Sequence, residues 1–207
     1  MTEDIAARQV AEAWHRIEGW LREHAPASHA ALLPGASEDE ILVVEEAYGM
    51  RMPEDLRTLW NLAGGCTGLY GGVFFDNYDL VPLSAGVEFH GNRMRFQIED
   101  GGNDANGIPW WRPGWIPAFS KSRDSQSFVN YLDCESGLLY SWDRYGTNNY
   151  GTEKEELDSV STYLEAVADS LESPALATRD SPGLIDGYLV WASWANVYKD
   201  TWQPFPA

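Results

Sequence analysis

At 207 residues, 44% hydrophobic and 13% aromatic with ten Trp, the chain is long enough for one compact domain with a decorated region. It is also apolar enough to build a core without disulfide or metal support. Fourteen basic residues against 32 acidic ones give a formal charge of −18. That field repels phosphate backbones and anionic lipid headgroups, which argues against direct nucleic-acid or membrane binding, and it attracts basic partners. Acidity also confers solubility, so charge alone does not choose a role.

The opening Met1-Thr2-Glu3-Asp4-Ile5 is acidic and lacks the basic start and continuous apolar run of a secretion signal, and no stretch approaches transmembrane length. The expected location is the cytoplasm. Cys66 and Cys134 match neither a zinc-ligand pair nor a redox pair, and are expected to be reduced, semi-buried thiols.

From Glu3 to about Glu23, Val10, Trp14, Ile17 and Leu21 recur at helical spacing on one stripe, and Pro26 is the expected stop. After the turn Leu32-Leu33-Pro34-Gly35, Ser37 and Glu40 stand at capping-box spacing before a second helix that buries Ile41, Val44 and Tyr48. Gly49 suits its C-cap. Pro53 opens a third helix that turns Leu56, Leu59 and Trp60 inward and ends at Gly64-Gly65.

Beyond Gly65, short β-branched and aromatic runs separated by turn residues predict antiparallel strands at Leu69–Phe75, Asp79–Leu83, Trp115–Phe119, Ser127–Leu132 and Leu138–Asp143. Phe89–Ile98 has no clear assignment, and the Gly- and Asn-rich Glu99–Gly107 is predicted to be a loop. In Leu157–Leu171, Val160, Tyr163, Leu164, Val167, Ala168 and Leu171 define an amphipathic helix that covers one face of the sheet. In the tail from Pro174, Asp186-Gly187 interrupts any helix and favours an added strand or docked extended segment.

The residues Leu33-Pro34-Gly35-Ala36-Ser37, Glu40-Ile41, Glu45, Gly49, Met52-Pro53-Glu54-Asp55-Leu56, Trp60 and Ala63-Gly64-Gly65 resemble, in order and spacing, the N-terminal signature of the SUKH superfamily. Trp115-Ile116-Pro117, the strands around Phe128–Asp133 and Leu138–Asp143, and the closing helix resemble its second half. Ala63 departs from the polar residue common before the glycines, and Met52 from the usual leucine.

The resemblance implies an α+β domain: N-terminal helices, a mainly antiparallel sheet of about five to six strands and a C-terminal helix packed on the sheet. The resemblance covers roughly Trp14 to Leu171, and the domain is expected to occupy residues 1–172, with 173–207 as an extension docked on it. It further implies a protein without a catalytic site or cofactor. Such proteins occur in bacteria mainly as immunity proteins that bind co-encoded toxins, many of them nucleases. A fungal relative regulates cell-wall synthesis through protein contacts, which leaves a regulatory or scaffold module as the alternative. An acidic inhibitor would offer carboxylates where a nuclease expects phosphates.

Motif chemistry adds no enzyme class: Gly-x-Ser-x-Gly, His-Glu-x-x-His and Gly-x-x-x-x-Gly-Lys patterns do not occur. His15, His24 and His29 lie in the helical N-terminal region, where surface positions are the simplest account; His90 is the fourth. Glu99, Asp100, Asn103, Asp104 and Asn106 miss EF-hand spacing and read as a solvated loop rather than a calcium site. As partner contacts, acidic residues mixed with aromatics single out Asp76, Tyr78 and Asp79, then Asp143 and Tyr145, with Glu99, Asp100, Asp104, Trp110 and Trp111 as a second group. At least one of the adjacent Trp110 and Trp111 should be buried. Plain turn roles compete at the strand ends.

Overall fold

The computed structural model describes residues 2–67, 70, 72–103, 107–121, 127–145, 149 and 158–206. The α1 helix runs Thr2–His24 and buries the stripe Val10, Trp14, Ile17 and Leu21. It ends at His24, with Ala25 alone between it and Pro26, which disfavours helical backbone in the residue ahead of it and then opens the short α2, Pro26–Ala30.

The capping box forms as expected. Ser37 Oγ accepts the Glu40 N–H, and the Glu40 carboxylate accepts the Ser37 N–H at 2.8 Å, starting α3, Glu38–Tyr48. Gly49 closes α3 in the left-handed region at φ 69°. Pro53 precedes α4, Glu54–Leu62.

The Leu33-Pro34-Gly35 turn lies directly against the turn that follows α4: Leu33 N–H donates to Gly65 O at 2.8 Å and Gly64 N–H to Leu33 O at 3.1 Å. A Cβ at Gly35 would fall 1.9 Å from Asn61 O, and one at Gly64 2.3 Å from Pro34 O. Both sites therefore demand glycine for close backbone approach.

Four antiparallel strands, β1 Asp79–Leu80, β2 Trp115–Ser120, β3 Phe128–Asp133 and β4 Leu138–Asp143, form one sheet in chain order. A register shift between Pro117 and Phe119 sets Ala118 and Phe119 into the same main core as Ile116, Leu132 and Leu139. On that side lie α1, α4 and the closing helix α6, Val160–Glu172, with Tyr163 4.9 Å from Phe119. Arg16 binds Asp169 and Glu172, each at 2.6 Å, across the α1–α6 surface.

The opposite face carries a second apolar cluster of Trp111, Trp115, Val129, Tyr131 and Trp142. It is covered by α5, Leu83–Asp100, whose Phe89 ring lies 5.3 Å from Trp111 and 5.2 Å from Trp142. The α5 helix takes in the unassigned Phe89–Ile98 and also Glu99 and Asp100, so the predicted loop begins only at Gly101, at φ 58°.

Two expected strands need correction. Leu69–Phe75 is not a strand where it is described: Phe75–Asn77 forms a single 3-10 turn, with Asp76 and Asn77 at φ 59° and 57°; Leu69 and Gly71 lie outside the described residues. The strand expected at Asp79–Leu83 stops at Leu80, because Pro82 and Leu83 open α5.

The tail adds strands of its own, in a separate three-stranded sheet. β5 Pro182–Ile185 and β6 Tyr188–Trp191 form a hairpin through Asp186-Gly187, at φ 49° and 79°, and β7 Gln203–Pro204 pairs with β5. Leu189 and Trp191 enter the main core, Leu189 N–H donates to Ser28 Oγ, and Trp191 N–H to Asn77 Oδ1. The α+β class with N-terminal helices and a C-terminal helix is what the structure has, with the strands divided between two sheets. Among the described residues, no helix is long and apolar enough to cross a membrane.

Candidate functional site

The tight turn at Phe75–Asn77 is closed by Phe74 N–H to Tyr78 O at 3.0 Å and Gly72 N–H to Asn77 O at 3.1 Å. Asp and Asn tolerate the left-handed backbone that this excursion requires. It presents the half-exposed Asp76 carboxylate to the Lys121 ammonium at 3.8 Å.

Lys121, just beyond β2, stands 5.3 Å from the Tyr78 ring and 5.6 Å from that of Phe128, cation–π distances. Phe128 pairs with Asp143 across the β3–β4 register, and Tyr145 lies 6.3 Å from Phe128. The Asp143 carboxylate accepts the Tyr145 N–H at 2.8 Å, holding the end of β4, while the 72% exposed Tyr145 ring sits 5.1 Å from the Arg144 guanidinium. Burial, then the charges of Asp76 and Asp143, hold the Tyr78 phenol protonated well above its ordinary range.

Four expected contact residues, Asp76, Tyr78, Asp143 and Tyr145, are thus brought together at one end of the sheet. Lys121 and Phe128, which sequence reasoning did not single out, are the side chains around which they gather. Their signal was present as a lysine and an aromatic at the facing ends of two of the best-defined strands.

Asp79 does not belong to this surface. It is 5% exposed, and its carboxylate accepts the N–H groups of Cys66 and Leu80, each at 2.8 Å. It supports the crossing of β1 beneath the Gly64-Gly65 turn.

The second group is only partly assembled. Glu99 and Asp100 are exposed in the last turn of α5, and Trp110 is half-buried with its indole over Gly102, where a Cβ would meet Nε1 at 2.2 Å. Trp111 is 1% exposed inside the aromatic cluster, so it supports the fold and offers no contact surface. One of the tryptophan pair is therefore buried, as their adjacency required. Asp104 and Asn106 lie outside the described residues. Among the described residues, no hydrogen bond, ion pair or ring contact ties Glu99, Asp100 or Trp110 to the Lys121 cluster.

The remaining reactive groups have structural settings. Burial first, then the Asp133 and Asp55 charges, push the Cys134 thiol up to about 12, so it is not a thiolate at neutral pH. His90 is buried, and its Nε2–H donates to Pro113 O at 3.0 Å; burial holds it below its usual value. No group of three metal-ligating side chains occurs among the described residues.

An α+β domain of this order, with its glycine-locked turn pair before the sheet, matches a known family model. Residues 35–166 match the SMI1 / KNR4 family (SUKH-1), and the chain belongs to that family. The matched span runs from Gly35 to Ala166, midway along α6, and contains every member of the Lys121 cluster. No curated protein matches the chain.

Proposed function

We propose that this chain is a non-enzymatic, cytoplasmic protein-binding domain that neutralises a cognate toxin by occupying a basic surface with its acidic, aromatic sheet end. The observation that carries the reading is the gathering of Asp76, Tyr78, Asp143 and Tyr145 around Lys121 and Phe128 on a chain of charge −18. Tyrosine and aromatic rings rimmed by carboxylates make a surface suited to a basic protein, and the long-range field speeds the encounter. Membership of the SMI1 / KNR4 family supports a role in protein contacts. The protonated tyrosines and the Cys134 thiol held near 12 are poor nucleophiles at neutral pH, which agrees with binding rather than catalysis.

The test is capture from native lysate with three tagged proteins: wild type, Asp76→Asn/Asp143→Asn, and a control, Asp39→Asn/Glu46→Gln, altered on α3. Expected is one basic polypeptide, retained by wild type and control, lost at high salt and lost from the sheet-end variant. Capture of the same protein equally by all three would place the interface elsewhere. Recovery of envelope or signalling proteins in its stead would replace toxin neutralisation with a scaffold role.

A further inference from the structure

Arg93 stands on α5 where the second apolar cluster reaches the surface. Its guanidinium lies 4.8 Å from the Trp142 ring, 5.5 Å from that of Phe89 and 5.8 Å from that of Phe96. Phe89 and Phe96 stand four residues before it and three after it on α5, spacings that share one helix face, and Trp142 closes the cage from β4. Three rings around a half-buried side chain hold the guanidinium in place, so much of the entropy of fixing it is lost on folding and not on binding.

What the cage lacks is a counter-charge. Arg16, Arg57 and Arg179 each bind a carboxylate, whereas no hydrogen bond or ion pair to the Arg93 guanidinium occurs among the described residues, on a chain with 32 acidic side chains. Burial alone holds Arg93 below its ordinary value, with no acidic group acting against it. A cation withdrawn from water without a partner costs free energy that an arriving anion offsets. Nε is enclosed, so the half-exposed residue meets solvent through its terminal Nη1 and Nη2. Trp142 immediately precedes Asp143 on β4, which puts the cage and the Lys121 cluster on opposite faces of the same sheet end. A chain of −18 repels polyphosphates and anionic lipid surfaces, while a single carboxylate matches one guanidinium in charge and in its two-oxygen geometry. Phe96, 43% exposed, offers an apolar contact beside it.

We propose that Arg93 anchors an aspartate or glutamate side chain of the partner protein through its terminal guanidinium nitrogens, with an apolar neighbour of that residue against Phe96. This rests on the reading of the chain as a protein-binding domain and extends the contact surface around the end of β4. One reversed charge pair on an otherwise acidic surface fixes the register of the complex and rejects basic surfaces that lack the acid.

The test titrates the full-length, isotope-labelled protein with N-acetyl-Leu-Glu-amide and, separately, with N-acetyl-Leu-Gln-amide and inorganic phosphate, following the Arg93 Nε–H, the Trp142 indole N–H and the α5 amides by NMR. Expected are saturable shifts centred on Arg93, Phe96 and Trp142 with the glutamate peptide, and binding of the glutamine peptide weaker by about tenfold, the loss of a charge-assisted hydrogen bond. Arg93→Met keeps an apolar stem over the rings and removes the charge, so it should abolish the preference for glutamate over glutamine. Arg93→Lys, which keeps the charge without the planar fork, serves as the second variant should Arg93→Met disturb the fold, and should weaken binding of the glutamate peptide. Shifts that do not saturate, that lie elsewhere, that are equal for the two peptides, or that are unchanged in both variants would overturn the proposal, as would phosphate binding more tightly than the glutamate peptide. Because no partner is used, such a failure leaves the capture experiment to judge the broader reading by itself.

Discussion

Single residues show how position decides what an acidic side chain does. Asp76 and Asp79 stand three apart and read alike in the sequence, yet one faces Lys121 at the surface and the other caps two backbone N–H groups in the interior. Separating them requires knowing that the chain turns left-handed at Asp76 and Asn77, and nothing local in a Phe-Asp-Asn-Tyr-Asp stretch announces that turn. The Trp110–Trp111 pair was legible by contrast, because neighbours on extended backbone face opposite ways.

His90 carries the pH dependence that belongs to this scale. Its folded value is lowered from 6.5 by burial, so between the two values the unfolded chain binds the proton and the folded chain does not. Its contribution to stability is therefore whole above about 6.5 and is lost as pH falls from there through the folded value. Wild type should lose more urea stability than His90→Gln between about pH 7.5 and 5.5, since Gln can still donate to Pro113 O without titrating. Equal losses in the two proteins would remove His90 from the account.

Among the elements, the helices with a single apolar stripe, α1, α3, α4 and α6, and the β-branched and aromatic strands β2, β3 and β4, bounded by turn residues, were legible to within a few residues. The α5 helix was not, and the reason is physical. Met94, Phe96 and Ile98 alternate at the period of a strand, and Gly86, Gly91 and Asn92 lower helix propensity. Phe96 and Ile98 are exposed, so only part of the apolar pattern reports the buried face. Gly86 has a tertiary reason: a Cβ there would stand 3.0 Å from the Tyr48 hydroxyl. The tail hairpin was half legible, through Asp186-Gly187, but its destination in the main core was not. Trp191 is 0% exposed, and its indole N–H donates to Val73 O at 3.3 Å. Trp191→Ala should therefore cost about 3–5 kcal/mol, read from the urea midpoint by far-UV circular dichroism. A midpoint equal to that of wild type would mean that the tail is not part of the cooperative fold.

On the scale of the whole molecule, two apolar layers bury the four-stranded sheet on both faces. That leaves the strand ends and connecting turns as the places where polar side chains can be displayed without loss of core. The sheet end with Asp76, Lys121, Phe128, Asp143 and Tyr145 is such a place, and the charge of −18 gives it a field that reaches beyond contact distance. Exposed charges of this kind act mainly on encounter rates and little on folding stability.

The most direct test of the binding role is the association rate constant with the captured basic partner, measured across ionic strength for wild type and Asp76→Asn/Asp143→Asn. A steered encounter should be fast at low salt, fall by about tenfold or more as the Debye length shrinks, and depend less on salt in the variant, with the folding midpoint of the variant unchanged. The same rate and salt slope in both proteins would contradict an acidic sheet end as the recognition surface.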